Sequence, residues 1–449
     1  MKAHWQILTG LLAAVLLGTA LNMALPADPA AEMPGWIAGL IQTCGFIGDL
    51  FLNALKMVIV PLITASIVTG VAGLGRVEGF GRLGLKTVVY FTCSSVLAIL
   101  TGLLLVNTLK PGLEDGAPSD SIADLIEAEG AKLAAGADPE RQTDLASAEA
   151  RDAGDAMDVF RRMIPTNIVA NASDNSQMLG LIFFSILFGL AMTRLAGSLQ
   201  DTLLTFFQAV SEVMILITRW IMLFAPLGVF ALVLPQVAEV GLRRLFGTLL
   251  VYFLTVAFAL SFHLLVVLPL LLRLIGGVNP WRHFAAMRTA MLTAFSTASS
   301  AATLPVTLRG VRDAGVSNRV SSFVVPLGAT VNMDGTALYE CVAVIFIAQV
   351  LGVDLPFSQQ FVVVTLALLT SIGVAGIPSA SLVAILIILG NVPVIPPAAV
   401  APAVALLFAV DRPLDMFRTA VNVFSDSCGA VIIARTEGED GVLAKTEEA

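Results

Sequence analysis

The chain has 449 residues, 57% of them hydrophobic and only 13% charged, with a mean hydropathy of +0.89. Ordinary globular domains carry about 25% charged residues, so a water-soluble enzyme or binding domain is excluded and a polytopic membrane protein is indicated. The formal net charge of −8 is concentrated largely in one stretch, and no basic patch suited to nucleic acid is present.

Apolar runs of roughly 18 residues or more recur along the chain. They cover Trp5–Leu25, Gly45–Gly73, Leu85–Val106, Met178–Leu195, Trp220–Val237, Phe246–Leu274, Ser321–Val350 and Phe361–Leu389, and a shorter run, Ala398–Val410, has a polar continuation. The first follows Met1-Lys2 and resembles a signal peptide, but its apolar stretch is long for one and is read as a retained helix. Residues 111–158 hold thirteen Asp and Glu against three Lys and Arg, with no aromatics, and read as a solvated, poorly ordered loop. Cys44, Cys93, Cys341 and Cys428 are isolated in or beside apolar runs, without CxxC spacing, and read as small packing residues. Arg76, Arg82 and Lys86, and later Arg282, Arg288, Arg309, Arg312 and Arg319, place their segments and the N-terminus in the cytoplasm, with the acidic loop outside.

Three segments do not read as plain helices. In "AFSTASSAATLPVTL", Ala294 to Leu308, Pro305 predicts a break that leaves two parts, each too short to cross ~30 Å of hydrocarbon. "SIGVAGIPSASLV", Ser371 to Val383, is broken in the same manner by Gly373, Gly376 and Pro378. One such segment alone is ordinary close packing or a kink. Two suggest re-entrant hairpins in an inverted pair around a site near the midplane. Between them, Asn332-Met333-Asp334-Gly335-Thr336 interrupts a lipid-compatible stretch with hard oxygen donors suited to Na⁺. A loop in water is excluded there, because the flanking runs are too short for two separate spans.

The polar continuation of the last run is "DRPLDMFRTAVNVFSD". At 100° per residue Asp411, Asp415, Arg418, Asn422 and Asp426 share an arc of about 80°, with Thr419 on its margin. Arg412 falls off this stripe and is expected to snorkel to the surface. Each ionised group at a helix centre costs about 2.5–3.5 kcal/mol, so the stripe must face partners. Asp334, Asp411, Asp415 and Asp426 against Arg418 leave a formal excess of three negative charges. Cations would enter first and make room for an anion, which is a coupling mechanism. Arg418 offers a fork for a carboxylate and Asp415 an acceptor for an ammonium, a pair that suits an acidic amino acid.

These motifs, "NMDGTALYE", "FIAQV", "ASSAATLP", "SIGVAGIP" and the aspartate–arginine–asparagine–aspartate helix, resemble those of the glutamate transporter family, the dicarboxylate/amino acid:cation symporters, and in particular its excitatory amino acid transporter branch. The resemblance runs from about Lys56 to Glu437. It implies an all-α polytopic membrane protein with eight transmembrane helices, two re-entrant helical hairpins and inverted repeats, assembled as a homotrimer of elevator type. Residues 1–83 would be the first two scaffold helices, 84–110 the third helix in the transport domain, and 111–160 the acidic extracellular loop. Residues 161–240 would be the fourth and fifth scaffold helices, 241–436 the rest of the transport domain, and 437–449 a cytoplasmic tail.

For the site, the resemblance implies a substrate side-chain carboxylate on Arg418 and Thr336, its ammonium on Asp415, and its main-chain carboxylate on Asn422 near the hairpin tips at Ser300 and Ile377. Thr419 would line the same site, and Asp411 would orient Arg418. One Na⁺ would use Gly328, Asn332, Asn422 and Asp426; a second, Thr330, Ser371, Ile372 and Val374; a third, Asn332 and Asp334 with hydroxyls such as Ser94 and Ser95. Phe91 departs from the family's frequent tyrosine there. Glu340 matches a glutamate linked in the eukaryotic branch to proton cotransport and K⁺ countertransport; burial among apolar groups favours its neutral form.

The function expected is Na⁺-coupled symport of L-aspartate or L-glutamate across a plasma (inner) membrane, with both termini cytoplasmic. A C4-dicarboxylate symporter of the same fold is the alternative. An intramembrane aspartyl protease would leave Arg418 and Asn422 without a role, and its YD and GxGD motifs are missing. A channel fits poorly with a lone arginine among carboxylates. No Walker sequence, nucleophile elbow or HExxH is present, and "GLGRVEGFG" at Gly73–Gly81 is a cytoplasmic turn.

Overall fold

In the hydrocarbon of a bilayer a spanning backbone must satisfy its own N–H and C=O groups, and the apolar runs fold accordingly into helices. A computed structural model of the chain describes residues 3–24, 33–73, 80–114, 116–118, 123, 126, 164–173, 178–373, 380–392 and 394–443. In order these form α1 (Ala3–Ala24), α2 (Gly35–Met57), α3 (Ile59–Gly73), α4 (Phe80–Leu109), α5 (Ile168–Ser173), α6 (Met178–Met192), α7 (Gly197–Leu223), α8 (Ala225–Val240) and α9 (Leu242–Phe262). A π-helical turn, His263–Val267, joins α9 to α10 (Leu268–Leu274). There follow α11 (Pro280–Thr297), α12 (Ser300–Asp313), α13 (Asn318–Val331), α14 (Asp334–Val350), α15 (Phe357–Gly373), α16 (Ala380–Asn391) and the 40-residue α17 (Pro397–Thr436). A small antiparallel hairpin, β1 (Leu113–Glu114) and β2 (Ala117–Pro118), turns through Gly116 at φ 84° and is tied to α9 by a hydrogen bond from Thr248 to Glu114. Most of the acidic loop, Arg76, and the last six residues lie outside the described residues.

Among the described residues, five stretches are long and apolar enough to cross a membrane: Arg82–Leu109, Gly197–Leu223, Gly247–Leu274, Asn318–Val350 and Pro397–Thr436. Two expected spans are divided. Gly45–Gly73 is split between α2 and α3, and Trp220–Val237 between α7 and α8. Pro61 and Pro226 lie in the first turns of α3 and α8, where proline is best tolerated, and mark both divisions.

α1 and α2 pack on α8, and α3 on α6 and α7. In a second group α4 lies along α14, while α11, α13, α14 and α16 all pack around α17. Large apolar side chains face outward on α7 (Leu199, Phe206, Trp220) and α9 (Leu250, Leu254, Phe258), as a lipid-facing surface requires. Of the four cysteines, Cys44, Cys341 and Cys428 are buried as expected, but Cys93 is exposed on α4. Every residue of α14 except Gln349 is buried, and α17 is buried along most of its length. The polar segment 332–336 and the polar stripe of α17 lie in that protein-lined interior.

Candidate functional site

α17 carries the polar stripe through the middle of the second group. Arg418 is 1% exposed. Its Nη1 donates to Asp411 Oδ1 at 3.0 Å and its Nη2 to Asp415 Oδ1 at 2.8 Å, and its guanidinium lies 4.2 Å from the ring centroid of Tyr339 on α14. These are charge-assisted bonds in a site shielded from water, with an added cation–π contact. Arg412 does not snorkel. Its side chain is buried, and Nη1 donates to Asp415 Oδ2 at 3.1 Å. The wheel angle of its Cα does point off the stripe, but residues three apart on a helix are neighbours and the arginine stem is long enough to wrap round. Four aspartates against two arginines leave a formal excess of two, not three.

α13 and α14 are separated by Asn332 (φ −98°, ψ 91°) and Met333 (φ −118°, ψ 57°), so the expected interruption is two residues of non-helical backbone. The break points polar groups at α17. Gly335 N donates to Asn422 Oδ1 at 2.8 Å, and Asn422 Nδ2 donates to Thr336 Oγ1 at 3.0 Å. Glycine is required at 335 by close approach, since a Cβ there would sit 2.8 Å from the Arg418 carbonyl oxygen. At Gly328 a Cβ would lie 2.5 Å from Asp426 Oδ1.

Below this lies a second polar cluster. Asp334 Oδ1 accepts from Ser95 Oγ at 2.7 Å and Ser94 Oγ at 3.2 Å. Its Oδ2 accepts from Ser425 Oγ at 2.6 Å and lies 3.2 Å from His263 Nε2. Asn332 Nδ2 donates to Asp426 Oδ1 at 2.9 Å and Ser425 Oγ at 3.0 Å, and its Oδ1 accepts from Ser94 at 3.2 Å. Tyr90, next to the departing Phe91, donates to the Ser425 carbonyl at 3.3 Å. Two carboxylates, an amide oxygen and several hydroxyls in one buried cluster are oxygen donors of the type that could hold a hard cation.

Elsewhere, Glu340 on α14 is fully buried; Oε2 accepts from Thr370 Oγ1 at 2.8 Å, and Oε1 has no hydrogen-bond partner among the described groups. Thr419 Oγ1 donates to the Asp415 carbonyl at 2.7 Å. Ser300 begins α12, just after the turn at Ala298, whose φ is 48°. The first broken segment therefore turns at 298–299, and Pro305 sits inside α12 instead of ending a helix. Thr330 and Ser371 bond locally to Leu327 O and Leu368 O. Ile372 is described only as helical backbone, and Val374 and Ile377 lie outside the described residues.

Comparison with known proteins fits this geometry. The sodium:dicarboxylate symporter family matches residues 3–436. The chain belongs to this family. It is similar to the proton/glutamate-aspartate symporter of Escherichia coli, at 34% identity over 96% of the chain and 92% of the relative. It is also similar to the proton/sodium-glutamate symport protein of Geobacillus stearothermophilus, at 33% identity over 97% and 94%, and to excitatory amino acid transporter 3 of Mus musculus, at 35% over 97% and 86%. The chain is thus a multi-pass membrane symporter of the glutamate transporter kind, not an enzyme.

Within this symporter the sequence reading missed Arg412, His263, Tyr339, Ser425, Tyr90 and Thr370. Ser425 was within reach, because at 100° per residue it falls about 20° beyond Arg418, on the margin of the stripe. His263 carried the general signal of an ionisable residue in a membrane span. Tyr339 and Thr370 carried none.

Proposed function

We propose that the chain is a Na⁺-driven importer of L-aspartate or L-glutamate in a plasma (inner) membrane. It has eight transmembrane helices, two re-entrant hairpins (α11–α12 and α15–α16) and cytoplasmic termini, and works as an elevator-type homotrimer. α1 and α2 pack chiefly on α8, which also touches α17, and this grouping supports the division into scaffold and transport domains. Arg418 binds the substrate side-chain carboxylate with Thr336, and Asp415 takes the ammonium. Asn422, Thr419 and the hairpin tips at Ser300 and Ile377 complete the site. Na⁺ ions use Asp426 with Gly328, Asn332 and Asn422; Asp334 with Asn332, Ser94 and Ser95; and Thr330, Ser371, Ile372 and Val374. Glu340 carries a proton in one half of the cycle and K⁺ returns in the other.

The observation that carries this reading is a fully buried guanidinium with an aspartate on either side, one turn from the Asn422–Thr336 pair and adjoining the Asp334–Asp426 cluster. The pairing of Arg412 with Asp415 favours a second reading, C4-dicarboxylate symport, because it neutralises the group meant for the ammonium. Radiolabelled aspartate uptake into proteoliposomes, with Na⁺, H⁺ and K⁺ gradients imposed one at a time, tests the proposal. Uptake indifferent to the Na⁺ gradient refutes it.

A further inference from the structure

Asp415 is held by two guanidinium groups, and the second is unused by the reading above. Arg418 Nη2 donates to Oδ1 at 2.8 Å and Arg412 Nη1 to Oδ2 at 3.1 Å. The Arg412 side chain is 8% exposed, and its Nε is buried with no hydrogen-bond partner among the described groups. An arginine buried with a donor unsatisfied is a poor structural brace, since that donor's desolvation goes uncompensated. What Arg412 does supply is a full positive charge at the carboxylate assigned to the substrate ammonium.

We propose that Arg412 is a specificity-determining residue, an internal cation that stands in for the substrate's ammonium on Asp415 and so lets the site accept dicarboxylates lacking an amino group beside α-amino dicarboxylates. The inference rests on the acidic amino acid reading of the site. A dicarboxylate without an ammonium would meet in Asp415 a like charge in a closed cavity, offset only by Arg418, which the substrate carboxylate also claims. With Arg412 on Oδ2 that charge is compensated. When an ammonium enters, it competes for the same oxygen and Arg412 yields.

The local backbone favours this exchange. Pro413 follows Arg412 inside α17 and has no N–H to give the Ala409 carbonyl. That carbonyl lies one turn back, in the direction helical side chains lean, and offers an acceptor to a displaced guanidinium. Proline also disfavours helical geometry at the residue before it, which loosens α17 at Arg412.

The test is competition of Na⁺-driven radiolabelled aspartate uptake by unlabelled L-aspartate and by succinate, in proteoliposomes of the full-length protein. A site relying on the ammonium alone to satisfy Asp415 would reject the deaminated ligand by about 10⁴–10⁵-fold. In the wild type the succinate-to-aspartate ratio of inhibition constants is expected below about 10³, and Arg412→Gln should raise it at least tenfold. Arg412→Lys, which keeps a point charge, should stay near wild type. A structural role alone would weaken both ligands together and leave the ratio fixed, and a ratio unmoved by Arg412→Gln overturns the proposal. Should Arg412→Gln fail to fold, the wild-type ratio decides: a value of 10⁴ or more overturns it. A wild type that neither binds nor transports aspartate refutes instead the reading beneath it.

Discussion

Adding one methyl group at Gly335 should uncouple the two helices that build the proposed binding site. The Cβ of Gly335→Ala would sit 2.8 Å from the Arg418 carbonyl oxygen and 3.1 Å from Arg418 Cα and Cβ. These are main-chain and near-main-chain atoms of a buried helix, so no flexible side-chain end can give way. Relief requires α14 to retreat from α17 by roughly 0.6 Å to recover ordinary contact. The retreat acts on the two bonds that cross between the helices there, Gly335 N to Asn422 Oδ1 at 2.8 Å and Asn422 Nδ2 to Thr336 Oγ1 at 3.0 Å. Overpacking of this kind costs about 1–3 kcal/mol. Because the strained contact lies beside Arg418 and Thr336, much of that cost should fall on the bound geometry, and 1–3 kcal/mol corresponds to about 5–150-fold in affinity. The assay is calorimetric titration of aspartate in saturating Na⁺, with melting curves alongside. Gly247→Ala on α9, where a Cβ meets nothing within 4 Å, serves as the control and should bind as wild type. A Gly335→Ala protein with wild-type affinity would show that α14 and α17 do not jointly form the site.

Other perturbations separate the remaining roles. Glu340→Gln replaces a fully buried carboxyl that bonds Thr370 by an amide of the same shape; if Glu340 is the proton carrier, the variant's uptake should lose its dependence on pH, and an unchanged profile rules that role out. Asp426→Asn keeps the shape opposite Asn332 but removes the charge, and the half-saturating Na⁺ concentration for uptake should rise about tenfold or more, the effect of one lost charge-assisted contact. Just beyond α17, Glu437 accepts a hydrogen bond from Lys86, which holds its carboxyl below the usual range. A depressed carboxyl stabilises the fold above its unfolded value and loses that contribution as pH falls through the folded one. The melting temperature of Glu437→Gln should therefore fall slightly below wild type at neutral pH and low salt, with the difference vanishing below about pH 4.

Much of the site was legible because membrane sequence makes polar residues conspicuous. Asp411, Asp415, Arg418, Asn422 and Asp426 announced themselves by periodicity, and Asn332 to Thr336 by interrupting an apolar run. The legible quantity is the direction of a Cα. Arg412 escaped because a wheel records where a side chain starts, not how far its stem reaches, and it lands on Asp415 from outside the stripe. His263 escaped for a different reason, since its contact with Asp334 joins residues 71 apart on different helices and leaves no periodic trace. The turn of α11–α12 was misplaced to Pro305 because Ala298, which adopts the left-handed conformation, is not a residue type that signals it. Pro305 sits in the second turn of α12, and the helix continues past it.

The two polar clusters are joined by asparagines, and this bears on how a cation could command the substrate site. Asn332, in the break between α13 and α14, is bonded to Asp426 on α17. One turn earlier on α17, Asn422 is bonded to Gly335 and Thr336, which follow the same break. The non-helical segment is thus fastened to α17 at both its ends. Asp334, lying between, is fixed by Ser94, Ser95 and Ser425. In the proposed carrier, a cation drawn to Asp426 and Asn332 fixes the register of the break against α17, and that register sets where Thr336 stands relative to Arg418. No separate relay is needed, because both ligands bias the position of one short segment. Coupling of this kind is reciprocal: whatever the cation contributes to holding Thr336 in place, a carboxylate bridging Thr336 and Arg418 returns by holding Asn332 and Asp426 together.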